Sequence, residues 1–255
     1  MRTNQKSNTW VLLGKSLLAI VILLLFVSVG VAICINTKPS ATESRVIQGI
    51  TIWLAAIAFL GYQKLRGRTM KEFGICSMTK EGLKNIYYCI PAIVLSSLSY
   101  IEGLNKEGVV YILASFFMAA GVGLEEELCF RGYIFNIWKG KGDKIAIIVT
   151  SVLFGVTHVA NIMSGQNWIA TILQIIFAFS YGMVFTMMYL LGKSLWPCIF
   201  IHFFHNFSSF ICDESNLKLE YGISAVQTVL MVIYVVMMIL RYKKMQDEKV
   251  LENVA

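Results

Sequence analysis

G-V-G-L-E-E-E-L-C-F-R-G-Y-I-F, Gly121 to Phe135, places three carboxylates and a guanidinium in a segment whose flanks, Val109 to Gly123 and Tyr133 to Trp138, are almost wholly apolar. Ionisable groups at that depth are costly and usually functional. On a helix, Glu127 and Arg131 are four residues apart, so they share a face with the acid N-terminal to the base, the favourable order. That pair neutralises itself. Glu126 points about 100° further round the helix and is not matched by Arg131 in the same way, which leaves its carboxylate available as a general base. The bland alternative is that Glu125 to Glu127 cap a helix at a membrane surface, since acidic runs are usually solvated.

The rest of the chain extends the apolar flanks. Of its 255 residues, 57% are hydrophobic and only 15% charged, with a mean hydropathy of +0.68, values that exclude an ordinary soluble protein. Apolar runs near bilayer-spanning length recur about eight times. They cover Leu17 to Ile35, Val46 to Tyr62, Ile86 to Ile101, Val109 to Phe130 or beyond, Ile145 to Asn161, Trp168 to Leu191, Leu195 to Ile211, and Ile223 to Leu240. The expected fold is all-α: a polytopic membrane protein with about eight transmembrane helices in one bundle, forming a single integral membrane domain over residues 1–255. Pro91 and the serines at 96, 97 and 99 make the third run the weakest. The first run follows Arg2 and Lys6 as a signal peptide would, but it is too long and lacks a small-residue cleavage site before Asn36, so it reads as a retained span.

Lysine and arginine sort by loop. One side holds Arg2, Lys6 and Lys15, the run from Lys64 to Lys84, Lys139, Lys141, Lys144, Lys193, Arg241, Lys243 and Lys244. The other holds only Lys38, Arg45, Lys106 and Lys218, accompanied by Glu43, Glu102, Glu107, Asp213, Glu214 and Glu220. The basic side is expected to be cytoplasmic, with both termini on it and residues 241–255 forming a short, charged, frayed tail. The same sorting accounts for the net charge of +7 and argues against nucleic-acid binding. Six scattered cysteines, without C-x-x-C spacing, and twelve methionines read as packing residues. The loop from Lys64 to Lys84 is open to two readings, an amphipathic surface helix or an ordinary connector.

The chain has three histidines, His158, His202 and His205, all within expected spans. Phe154 precedes His158 by four residues, and Asn206 follows His202 by four, so each pair shares a helix face. The Asn206 amide can hold the His202 imidazole in one tautomer or hydrogen-bond an oxyanion. His205 is the rival for the role of His202 but lacks an aligned asparagine. At 1.5 Å per residue, His158 lies roughly 20 Å from Lys144, His202 roughly 14 Å from Lys193 and Glu126 roughly 20 Å from Lys139, provided the fourth helix runs to Trp138. The three can therefore meet at a similar depth. One carboxylate and two imidazoles there can hydrolyse a carbonyl in two ways. They can bind a Zn2+ ion that activates water, or Glu126 can deprotonate water while the histidines stabilise the oxyanion. The competing structural reading is that each histidine is a hydrogen-bonded packing residue.

E-E-x-x-x-R at Glu126, Glu127 and Arg131, F-x-x-x-H at Phe154 and His158, and H-x-x-x-N at His202 and Asn206 together resemble the CPBP family of intramembrane proteases. That family contains the type II CAAX prenyl proteases and bacteriocin-processing or self-immunity proteins. The resemblance spans about the central third of the chain, with residues 121–207 as the catalytic core. It implies an eight-helix membrane core and a catalytic cavity opening toward the cytoplasm. It also implies that Glu126 activates water, His158 and His202 stabilise or ligate, Asn206 helps hold the oxyanion, and Glu127 with Arg131 supports the site. If zinc is bound, His158, His202 and Glu126 are its ligands. Glu125 departs from the minimal motif, and the spacing to Arg131 selects Glu126 and Glu127.

An intramembrane endopeptidase is the leading expectation. The expected substrate is a membrane-bound or lipidated protein, or a short apolar peptide precursor. A non-catalytic immunity or regulatory scaffold in the membrane is the alternative. A transporter is third, because the polar groups concentrate on three helices instead of lining a whole path.

Overall fold

The computed structural model describes residues 8–213 and 215–252. Arg2, Lys6 and Glu214, used in the charge count, and the last three residues of the tail lie outside them. Capping fixes the first two helices. The Asn8 side chain accepts from the Trp10 N–H at 2.9 Å and starts α1, Thr9–Thr37. A capping box between Ser40 and Glu43 starts α2, Ala41–Leu65, with the Ser40 N–H donating to the Glu43 carboxylate at 2.8 Å.

A short 3-10 turn, Met70–Phe73, and α3, Lys80–Lys84, follow, so the Lys64 to Lys84 stretch is a connector and not one amphipathic helix. The third apolar run is broken. A 3-10 turn at Ile86–Tyr88 leads into α4, Cys89–Ser97, which tightens again over Leu98–Glu102. Ser96 and Ser97 donate back to the carbonyls of Ala92 and Ile93, a local competition that bends helices.

The next span runs from Val109 to Lys141. It comprises α5, Val109–Glu127, a π-helical segment, Leu128–Phe135, and α6, Asn136–Trp138. The continuation past Phe130 that the depth argument required is present. After it come α7, Asp143–Thr157, with a 3-10 extension at His158–Ser164, then α8, Trp168–Gly192, α9, Trp196–Ile211, and α10, Leu217–Glu252. The last is a correction: the chain beyond Arg241 continues α10 as helix to Glu252, where a frayed tail was expected.

Six of the helical runs are long and apolar enough to cross a membrane, and no strand occurs among the described residues. The chain is an all-helical, polytopic membrane protein. Of the eight expected spans, two fall short. The broken run Ile86–Glu102 is a shorter apolar helix. The 16-residue α9 is about 24 Å long against a hydrocarbon core of about 30 Å; polar His202, His205 and Asn206 also dilute it. Helix α5 packs between α2 and α9, α8 packs against both α7 and α10, and α1 lies outside α2. Glycines permit the tightest approach. A Cβ at Gly123 would stand 2.9 Å from the Phe203 N and 3.0 Å from the Ile199 O, so α5 and α9 are in backbone contact beside the glutamates.

Candidate active site

The π segment begins one residue after Glu127, and single π turns inside α-helices concentrate at functional sites. Its wider turn leaves the Glu127 to Arg131 pair intact: Arg131 Nη1 donates to Glu127 Oε1 at 2.8 Å, with both side chains fully buried. The remaining guanidinium nitrogens, Nε and Nη2, have no hydrogen-bond partner among the described residues. Two aromatic faces take their place, since the Arg131 Cζ lies 4.3 Å from the Phe154 ring centre and 5.4 Å from that of Phe185. Desolvated guanidinium over such faces is stabilised by the ring quadrupole.

Glu127 Oε1 has a second partner, His202 Nδ1, at 2.9 Å. A carboxylate oxygen only accepts, so His202 carries its proton on Nδ1 and turns Nε2 toward the site. The opposite ring nitrogen, Nε2, stands 3.8 Å from Glu126 Oε2. That separation is too long for a direct hydrogen bond and allows one water oxygen to lie within reach of both groups. The Glu126 side chain is 22% exposed, against 5% for His202 and none for Glu127. Adjacent glutamates thus have different jobs, one locked in a dry ion pair and one facing accessible space. Glu125, the extra acid, is buried, lies toward Cys129 and joins neither pair.

His158 sits where α7 tightens into its 3-10 turn, and its Nδ1 meets the Phe154 carbonyl at 2.9 Å. A carbonyl also only accepts, so this ring too is protonated on Nδ1 and leaves Nε2 as an acceptor. Phe154 stands between the imidazoles, edge-on to His158 at 5.2 Å and to His202 at 5.9 Å. It is the hinge of the cluster: buried, capped by Arg131 on its face, and placed by the same helix that delivers His158.

One of the two roles open to Asn206 falls away, and so does the rival to His202. Asn206 is not the group that fixes the His202 tautomer; Glu127 does so, and Asn206 lies half-buried one turn further along α9. His205 is not brought to Glu126. It stacks on Phe177 at 4.9 Å and lies against Tyr181 at 5.3 Å, one turn along α9 from His202. The link from Glu127 to His202 joins residues 75 positions apart, and no local spacing announces it. Gly123, by contrast, had a signal in the G-V-G preceding the acids.

Two imidazole Nε2 atoms, each with its other nitrogen pinned, and one carboxylate are donor types that suit zinc. Among the described residues, however, no three His, Cys, Asp or Glu side chains are grouped to hold one metal ion, and no step below is routed through one.

No curated protein and no solved structure matches the chain. One family model does, over the segment holding every residue of the cluster. Residues 108–208 match the model of the type II CAAX prenyl endopeptidase Rce1-like family, so this stretch of the chain is similar to that family.

Proposed function

We propose that the chain is an intramembrane endopeptidase in which Glu126 activates the water that hydrolyses a peptide bond. The observation that carries this reading is the 3.8 Å gap between Glu126 Oε2 and His202 Nε2. Both atoms are acceptors, so a water between them donates one O–H to each and points its lone pairs away, toward an incoming carbonyl carbon. Glu126 takes the proton as the water oxygen bonds to that carbon. The carbonyl π electrons move to oxygen, and the Asn206 amide, one turn beyond His202, donates to the resulting oxyanion. The proton held by Glu126 then passes to the departing amide nitrogen as the C–N bond breaks, which balances the hydrolysis. His158, edge-on to the Phe154 ring that also meets His202, supplies the second imidazole. Glu127 and Arg131 touch no reacting atom; they are positioning residues that hold His202.

The substrate is a membrane-associated protein or a peptide precursor, because the active groups lie among helices long and apolar enough to cross a bilayer. Both termini are assigned to the cytoplasmic side on the lysine and arginine bias. A second reading, Zn2+ held by Glu126, His158 and His202, has the two bare Nε2 atoms in its favour but requires the three side chains to draw together, since they are not grouped around one point among the described residues; one equivalent of zinc in purified protein, lost in His202→Ala, would support it.

Comparing membrane peptides from cells with wild-type protein, without it, and with Glu126→Gln tests the proposal. One precursor should accumulate uncleaved both without the protein and with the variant. Equal peptide patterns in all three, with a cellular phenotype that survives the substitution, would leave the non-catalytic immunity or regulatory scaffold instead.

A further inference from the structure

Helix α8 supplies none of the groups assigned to the reaction, yet one side of it reaches the segments that carry both imidazoles. Tyr181 and Phe185 lie 6.1 and 6.0 Å from the His202 ring, and Phe177, stacked on Tyr181 at 5.2 Å, meets His205 at 4.9 Å. Gln174, one turn before Phe177, ends this aromatic column with a polar group. Its Oε1 accepts from the Asn161 amide at 2.7 Å and from the Gln166 amide at 3.0 Å. The chain between those two residues is closed by its own backbone, since the Gln166 N–H donates to the Asn161 carbonyl at 3.1 Å. One oxygen on α8 therefore clasps the turn that follows His158.

That turn needs a clasp. His158 opens a 3-10 run of seven residues, His158–Ser164. Such runs rarely exceed about four residues because their hydrogen bonds are poorly aligned, and a longer one often marks a functional hinge. Residues three apart eclipse in a 3-10 helix, so Asn161 stands over His158, and a shift at Asn161 passes to the imidazole one turn below. The bond from His158 Nδ1 to the Phe154 carbonyl, at 2.9 Å, stays within four residues of chain. It sets the tautomer and leaves the placement of the turn against α8 to the amides. Polar side chains that bond across helices are common glue in membrane proteins; here the glued segment carries an imidazole.

We propose that Gln174 is a positioning residue for the hydrolysis, its Oε1 holding the 3-10 turn so that His158 stays in register with His202. The inference rests on the reading of His158 as the second imidazole of the reaction. Gln174 touches no reacting atom and acts through Asn161. Because the same helix packs Tyr181 and Phe185 against His202, α8 sets the spacing of the two rings.

NMR of the full chain in detergent, with nitrogen-15 in its histidine rings, tests the clasp without a substrate. Wild-type protein should show hydrogen-bonded Nδ1–H signals from His158 and from His202, each assigned by its loss in His158→Ala or His202→Ala. Gln174→Leu should remove or broaden the His158 signal and spare that of His202. Gln174→Glu, whose carboxylate accepts from the same two amides, should keep both. On the precursor that accumulates with Glu126→Gln, Gln174→Leu should lower kcat by about 10- to 100-fold at unchanged KM, the range for a misplaced group. Gln174→Glu should restore it, and His158→Ala/Gln174→Leu should be no slower than His158→Ala alone. Should Gln174→Leu not fold, Asn161→Ala, which removes one donor to the same oxygen, should give the same selective change in the spectrum. An unchanged His158 signal in the folded variant would overturn the proposal at the clasp, as would loss of both signals together. A selectively lost His158 signal with an unchanged rate would overturn it at the role of His158 instead.

Discussion

Helix α1 and the seam between α5 and α9 are opposites. Helix α1 is among the most apolar segments of the chain, yet it lies at the edge, with Leu18 61% and Leu25 59% exposed. The seam contains glutamates, an arginine and histidines, yet Glu127 and Arg131 there are fully buried. In water the order would be reversed. In a bilayer, lipid tails solvate leucine as well as another helix does, so hydrophobicity does not choose what goes inside. Close packing and polar pairing choose it, and the interior becomes the place where chemistry is held.

Breaking the seam should therefore cost far more than altering the edge. Glu127→Gln removes the charge that balances Arg131 and leaves one neutral amide oxygen where a carboxylate accepted from both Arg131 and His202. A loss of about 3–5 kcal/mol is expected, as for a buried pair losing one partner, read as a large drop in thermal stability in detergent. Asn206→Ala should leave stability unchanged and lower the cleavage rate about 10²- to 10³-fold, the usual cost of one oxyanion donor; a normal rate would remove Asn206 from the mechanism. Gly123→Val pushes a side chain into the backbone of Ile199 and Phe203. It should cost about 1–3 kcal/mol as overpacking, and the same measurement on Gly14→Val, which meets nothing within 4 Å, supplies the control. Leu18→Ala on the lipid-facing edge should change stability by less than about 0.5 kcal/mol. A loss comparable to that of Gly123→Val would sink the contrast.

The difference between the two regions also explains what could be read in the sequence. Edge helices announce themselves by long apolar runs, and the Glu127 to Arg131 pair by its i,i+4 spacing, so the membrane class, most of the spans and the position of the acids were legible. The weakness of the third run was legible in Pro91 and its serines, and Ser96 and Ser97 do bond backward there; the seventh, read as a span, folds as a 16-residue helix too short to cross. The Glu127 bond to His202 was invisible, since it depends on how α9 docks on α5 across Gly123. Asn206 looked like the tautomer anchor because spacing along one helix cannot see a carboxylate arriving from another. The π segment was also hidden: G-L-E-E-E-L-C-F-R reads as ordinary helix, and its widening is seen only in three dimensions.

The central claim is that Glu126 and His202 act on the same water. The cleavage rates of Glu126→Gln, His202→Ala and the double variant on one precursor test it most directly. If the two groups work as a unit, the double variant should be about as slow as the slower single one, as other catalytic groups acting together behave. Rate losses that multiply, with the double variant slower by the product of the two single effects, would mean that the two residues act independently and would contradict the account.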